Sequence, residues 1–295
     1  MIRAVPALAR LGQLIAAHPL TRDRQLAAWG RFARWQVDSR LNPEVVVPWL
    51  EGQRLAMRRG MTGATGNVYL GLLEFLGMML TVHFLREDDL FLDLGANVGT
   101  YTVLASGVAG ATTWAFEPDE EAVRDLERNI ALNRLSERVV VHACAVGSRD
   151  GEIPFTTGMG AMNLVVEADD PAARLVPVRR LDPLTRQRSP AMIKLDVESH
   201  EEQALRGAAR TLADPALKVV STEEVTPPIL QIMADNDFER AYYDPFTRRL
   251  QRTPGSLAYD RGRWTPSDQF FVRDWPFVER RLATARPVTV LGRAI

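Results

Sequence analysis

Two groups of residues in this chain have the types and spacing that chemistry needs. The first is Asp93-Leu94-Gly95-Ala96-Asn97-Val98-Gly99, which continues the apolar run 90–94 and leads into a helical pattern. Glu117 closes the next apolar run about 20 positions further on, the distance expected in a dinucleotide-type fold. Glycines at a strand–helix turn let the chain bend tightly and let a ligand lie against bare backbone. The amides that open the helix then face the ligand, and the acid accepts hydrogen bonds from ribose hydroxyls. The second group is Lys194, Asp196 and Glu198, at alternate positions where the run 191–196 ends, with His200 behind them. Alternate side chains of an extended chain share a face. Three charges there, beside a strand buried on both sides, suit proton transfer or ion pairing.

The turn also discriminates among nucleotide ligands. A nicotinamide fingerprint places a middle glycine where backbone must approach a pyrophosphate; here Asn97 holds that place and the third glycine is missing. S-adenosylmethionine has no pyrophosphate, so a side chain is permissible, and Asp93 suits its cationic amino acid group better than a diphosphate. A nicotinamide-dependent oxidoreductase is the alternative. In the second group Asp196 is the first candidate for a general base, with Glu198 and His200 behind it. Glu223 or Glu224, after the run 218–222, reach the same crevice. Lys194 orients a carboxylate, lowers its pKa, or forms a purely structural ion pair. Asp196, Glu198 and Glu223 have the oxygen chemistry of a divalent cation site, but nothing in the sequence requires a metal and none is assigned. Met159, Met162 and Asn163 belong to a loop that lines an acceptor pocket or serves packing.

The elements that must position these groups read as follows. From Asp89 onward strands alternate with helices, which marks a parallel sheet with crossover helices. Strands are expected at 90–94, 112–116, 138–143, 191–196 and 218–222, with closing strands at 239–243 and 269–272. Pro118-Asp119-Glu120-Glu121 opens a helix whose buried stripe is Val123, Leu126 and Ile130. Residues 147–188 read as a hairpin plus loops. The fold class is α/β, a doubly wound, mostly parallel seven-stranded sheet. Residues 1–85 form an N-terminal extension of helices and a β-hairpin, 86–275 the ligand-binding domain, and 276–295 a C-terminal extension. Within the first part, helices are expected at 1–20 and 22–37 and a hairpin at 45–57. A loop over 60–66 then precedes one helix marked by Tyr69, Leu72, Leu76, Leu80 and Phe84.

These residues together resemble the FkbM family of methyltransferases. The likeness rests on Phe91-Leu-Asp-Leu-Gly-Ala-Asn-Val-Gly-Thr-Tyr-Thr102, Phe116-Glu-Pro118, Asn129-Ile-Ala-Leu-Asn133, Ala145-Val-Gly147 and Ile193-Lys-Leu-Asp-Val-Glu198, in family order across 90–275. Thr65-Gly66-Asn67-Val-Tyr-Leu-Gly71 is similar to the start of one subgroup. The resemblance implies a class I methyltransferase (Rossmann-like) fold, S-adenosylmethionine as methyl donor, and O-methylation of a hydroxyl on a sugar or natural product. It maps Asp93, Gly95, Asn97, Gly99, Glu117 and Ala145 onto the cofactor site, and Lys194, Asp196 and Glu198 onto the family's K-x-D-V-E-G motif. The glycine of that motif is Ser199 here. Ser199-His-Glu-Glu202 matches a capping box, so the serine is expected to cap the helix through Leu205. A non-catalytic relative is the reading that Ser199 leaves open.

Composition narrows the rest. The chain has 295 residues, 46% hydrophobic and 25% charged, enough for a large core without staples. Its net charge of −1 gives no reason to expect a nucleic acid or anionic membrane as partner. The fourth strand also lacks the D/N-P-P-Y/F signature of base methylation, which Thr226-Pro227-Pro228 resembles only superficially. A single cysteine, Cys144, excludes an internal disulfide, and four scattered histidines offer no metal spacing. No run reaches the ~18 uncharged apolar residues of a membrane span; the most apolar stretch, 69–85, contains Glu74 and His83. The expected partner is a small-molecule hydroxyl acceptor and the expected location cytoplasmic.

Overall fold

The computed structural model describes residues 4–156, 173–253 and 269–295. Met159, Met162 and Asn163 lie outside the described residues. Two helices, α1 (Ala4–Ala17) and α2 (Gln25–Leu41), lead into a hairpin of β1 (Val45–Pro48) and β2 (Arg54–Met57). Then come α3 (Thr62–Leu70) and α4 (Phe75–Phe84), followed by β3 (Leu90–Leu94), α5 (Thr100–Val103), β4 (Thr112–Phe116), α6 (Glu120–Leu132) and β5 (Val139–His142). A small sheet uses β6 (Ala145–Val146), β7 (Gly151–Thr156) and β8 (Ala173–Arg179), and α7 (Leu181–Leu184) returns the chain to β9 (Met192–Leu195). The remainder comprises α8 (Glu201–Arg206), α9 (Ala209–Ala213), β10 (Val219–Thr222), α10 (Pro227–Asp235), β11 (Glu239–Asp244), β12 (Arg249–Gln251), β13 (Gln269–Val272) and α11 (Trp275–Ala283). A last hairpin, β14 (Thr289–Val290) with β15 (Arg293–Ala294), ends the chain.

The main sheet has the order β12-β11-β13-β10-β9-β3-β4-β5. Neighbours from β10 to β5 are parallel, and β13, β11 and β12 join through antiparallel pairs. The expected sheet was seven-stranded; β12 is an eighth strand, three residues long at the edge and too short to stand out as a period-2 pattern. Alternation along the strands divides the core. Phe91, Met192, Val219 and Phe270 face α4 and α11, whereas Leu92, Ile193, Val220 and Phe271 face α8, α9 and α10. The sheet is therefore covered on both faces, as a doubly wound sheet requires.

Local chemistry explains the elements nearest the strand ends. The Asp119 side chain accepts a hydrogen bond from Glu121 N at 3.0 Å, capping α6 ahead of two acidic residues. Along α6, Asn129 Oδ1 accepts from Ala56 N at 2.8 Å and Asn129 Nδ2 donates to Val98 O at 2.9 Å. Asn133 Oδ1 accepts from Arg54 N at 2.8 Å. The two asparagines thus fasten the N-terminal hairpin and the turn after β3 to one helix.

The region before β3 departs from expectation. Residues 62–66 of the expected loop belong to helix α3, and the single helix over 69–84 is two helices bent by 84°. The break lies at Gly71, whose φ of 87° and ψ of −56° are closed in practice to side-chain-bearing residues. Asn67 completes the corner: its amide donates to Ala64 O at 3.1 Å and its carbonyl accepts from Leu73 N at 2.7 Å. Hydrophobic periodicity alone runs through such a corner, because both helices are apolar. No single helix among the described residues is long and apolar enough to cross a membrane. Gly71→Ala is expected to lower stability by about 1–3 kcal/mol, since a Cβ there also lies 2.8 Å from Leu291 Cγ. A thermal melt unchanged by the substitution contradicts this account of the corner.

Candidate functional site

At the carboxyl ends of β3, β4, β9 and β10 lies a cavity of about 260 Å³, the place where open α/β sheets bind ligands. One end is built by the turn after β3. Gly95 N and Ala96 N both donate to Phe116 O at 3.0 Å, folding the turn over the end of β4. Asn97, with φ 49°, donates its N–H to Glu117 Oε2 at 2.9 Å, and Asp119 N donates to Glu117 Oε1 at 2.9 Å. Glu117 is only 7% exposed yet lines the cavity. Burial pushes its carboxyl up to about 7, against the two amides that favour its charge. Ala145 lines the same end with Cys144, Val146 and Phe155, an apolar wall in which burial raises the Cys144 thiol to about 11.

Gly95 itself is explained by the neighbouring loop. Its φ is 77°, and a Cβ would fall 1.8 Å from Asp196 O, so the turns after β3 and β9 meet backbone to backbone. Two residues expected to hold a ligand do not reach the cavity. Asp93 is fully buried beneath the turn, where its Oδ2 accepts from Thr102 Oγ1 at 2.6 Å and its Oδ1 has no hydrogen bond. Gly99 packs against Leu126, whose Cδ1 is 2.5 Å from where a Cβ would be. Their contacts are those of an inward-facing position on a buried strand and of a tight helix packing.

The other end of the cavity collects charge. Lys194, 4% exposed, places Nζ 2.8 Å from Asp196 Oδ2 and 4.8 Å over the Tyr101 ring. Burial opposes the ammonium charge, but Asp196, Asp93 and Glu74 outweigh it and raise the lysine pKa above its ordinary value. Asp196 is held below the usual carboxylate range; burial pushes the other way and is overcome by Lys194. Carboxylate oxygens of Asp196, Glu198 and Glu223 lie within 4.8 Å of one another. The cation that the fold itself places beside this set is the Lys194 ammonium. Glu198 is raised by partial burial and by Asp196, and Glu223 to about 7 by partial burial and then Asp196. His200 also lines the cavity, with its pKa lowered by burial, which keeps the imidazole neutral near pH 7.

Two expectations for this end are corrected. The strand stops at Leu195, and Glu198 and Ser199 take φ of 51° and 67°, so Lys194, Asp196 and Glu198 converge through a left-handed bend and not through strand alternation. Ser199 does not cap α8. His200 holds the N-cap position without a side-chain cap bond, and Glu201 reaches back to Val197 N at 3.3 Å. The left-handed φ accounts for the glycine that the resemblance leads one to expect here. Glu74 and Tyr101 were missed. The chain corner before α4 brings Glu74 to the cavity, where Tyr101 hydrogen-bonds it and burial raises its pKa. The available signal was a lone acid inside the apolar stretch 69–85.

The family model for the Methyltransferase FkbM domain matches residues 93–242. The hexuronic acid methyltransferase AglP of Haloferax volcanii is 26% identical over 171 residues, 52% of this chain and 70% of that protein. Among solved structures, a methyltransferase FkbM from Methylobacillus flagellatus is 19% identical with a TM-score of 0.42, the match covering 63% of this chain and 44% of that one. A putative transferase from Pyrococcus horikoshii is 14% identical with a TM-score of 0.39, covering 67% of this chain and 63% of that one.

The charge states carry two measurable consequences. The native state keeps a proton on Glu117 that the unfolded chain releases between its ordinary 4.5 and about 7, so stability falls as pH rises through that window. Urea midpoints compared at pH 5 and pH 8 should show a smaller drop in Glu117→Gln than in the wild type; equal drops contradict the assignment. Ser199→Gly should raise the unfolding free energy by about 1 kcal/mol or less, and with it the urea midpoint, because the left-handed conformation no longer opposes a Cβ. A lower midpoint for that variant contradicts the strained bend.

Proposed function

The chain belongs to the FkbM family of methyltransferases, and on that premise we propose that it transfers the methyl group of S-adenosylmethionine to a hydroxyl of a sugar or related small molecule. One observation carries the proposal: a continuous cavity runs from the Glu117 carboxylate, past the turn Gly95–Val98, to the carboxylates beside Lys194. The residues suit the cofactor. Glu117 presents a nearly buried acid to ribose hydroxyls, the turn brings bare backbone to the cavity, and the acidic far end favours a cationic sulfonium over a phosphate. Membership of a methyltransferase family displaces the nicotinamide alternative.

When bound, S-adenosylmethionine supplies an electrophilic methyl group on sulfur. The chain's own part is to align the acceptor oxygen with that methyl, exclude water and take up one proton. Cys144, Ala145, Val146 and Phe155 give the apolar wall for an adenine ring. Asn97 N and Asp119 N hold Glu117 in place while its remaining lone pairs take up hydroxyls. At the opposite end, a carboxylate of the Asp196, Glu198 and Glu223 group removes the hydroxyl proton as the oxygen–methyl bond forms. The acceptor class follows the relative whose name specifies a hexuronic acid, and the acidic lining is best matched by an uncharged hydroxyl.

Calorimetry with S-adenosylhomocysteine should give a single site, weakened at least ~10-fold in Glu117→Ala by loss of a charge-assisted hydrogen bond. Methyl-labelled cofactor incubated with methyl α-D-glucopyranoside and glucuronic acid should label a sugar hydroxyl. Absence of cofactor binding overturns the proposal. Binding with no labelled product on any hydroxyl compound identifies a non-catalytic relative instead.

A further inference from the structure

Resting on the reading of the site as a hydroxyl methyltransferase, we infer that Glu223, and not Asp196, is the general base, with Asp196 and Lys194 acting as its positioning pair. The first argument is geometric. Asp196 Oδ2 is engaged by the Lys194 ammonium at 2.8 Å, and that lysine is buried on β9, so the contact belongs to the fold. A carboxylate pinned to a buried ammonium gives up its charge reluctantly and is a weak proton acceptor. Glu223 lines the same cavity, shares a side-chain hydrogen bond with Asp196, lies close to Glu198, and carries no ion pair among the described residues. It follows β10 directly, where its N–H donates to Leu195 O at 3.3 Å, tying it to the strand that carries Lys194.

The charges facing Glu223 support the same conclusion. Asp196 and Glu198 from the turn after β9, and Glu74 from the corner before α4, are all acidic. The cation lining the same cavity, Lys194 on β9, is already paired with Asp196. Glu224 adjoins it in sequence, and β13 begins beside Thr222 with the uncharged Gln269. Surrounded in this way, Glu223 holds its proton up to about 7, and a base is most effective when its pKa lies near the working pH. Glu223 is also solvent-exposed, so the proton it takes leaves to water. The balance is simple: the acceptor O–H breaks, its oxygen bonds the methyl carbon as the carbon–sulfur bond breaks, and the proton moves to a Glu223 oxygen.

Two measurements test this. In Glu117→Gln, which removes the other carboxyl raised to about 7, carbon-13 NMR of glutamate carboxyls should show one group titrating near pH 7 that is absent once Glu223→Gln is added. In Asp196→Asn that group should titrate at lower pH, because a repelling carboxylate is gone and Lys194 is freed. Labelled methyl transfer to methyl α-D-glucopyranoside and glucuronic acid should fall ~100-fold or more in Glu223→Gln. Asp196→Asn should keep measurable turnover, with the acidic limb of its kcat profile moved down in pH; neither sample should change on adding EDTA. A group titrating near pH 7 that persists in the double variant Glu117→Gln/Glu223→Gln, or wild-type turnover in Glu223→Gln alone, overturns the inference while methyl transfer itself stands. If the wild type binds adenosylhomocysteine but labels neither sugar, the sugar reading fails, and the carboxyl titration still decides between Glu223 and Asp196.

Discussion

A buried ammonium ion organises this protein's site. Lys194 sits at 4% exposure on a central strand, where an unpaired charge is intolerable. Its compensation comes from three separate elements: Asp93 opposite it in the β3–β9 register, Asp196 just beyond the end of β9, and Glu74 from the corner before α4. Each depends on the others. Asp93, with one oxygen lacking a hydrogen bond, is tolerable as a buried acid because Lys194 is beside it. Removing the lysine leaves several acids facing one another in a low-dielectric pocket, the costly case of a broken buried network.

The same neutralisation divides labour along the cavity. Lys194 holds Asp196 in its charged form, whereas Glu117 and Glu223 are pushed toward their protonated forms. Glu117 and Glu223 stand at opposite ends of the sheet crevice, one after β4 and one after β10, and both are raised to about 7. Burial is the largest cause at both. Burial dominates at Glu117, which is anchored by two backbone amides; acidic neighbours add to partial burial at Glu223.

The support for this arrangement comes largely from outside the family-matched segment. The hairpin β1–β2 grips α6 through Asn129 and Asn133, and Asn129 also holds the carbonyl of Val98 in the turn that borders the cavity. Gly63 and Glu74 line the cavity from the N-terminal region. Leu20, Leu50, α4 and α11 share one core with β3, β9 and β13, so the wall of the site and its foundation are contributed by distant parts of the chain.

Local features were legible in the sequence. The strands at 90–94, 112–116 and 269–272, the helix after Pro118, the turn after Asp93 and the acid at Glu117 are written in patterns a few residues long, because period, capping and turn chemistry act over that range. Tertiary structure decided the rest. Asp93 looked like a ligand-facing residue, and the pairing of β3 with β9 turned it inward to Lys194. Ser199 matched a capping box, and the close approach of the turns at Gly95 and Asp196 accompanies a left-handed bend that leaves it no cap to form. Glu74 and Glu223 are separated by about half the chain and meet only because of the strand order and the corner at Gly71. A sequence specifies which residues are apolar or charged at each step; which of them become neighbours depends on how strands pair and where helices turn, and that is settled by packing of the whole core.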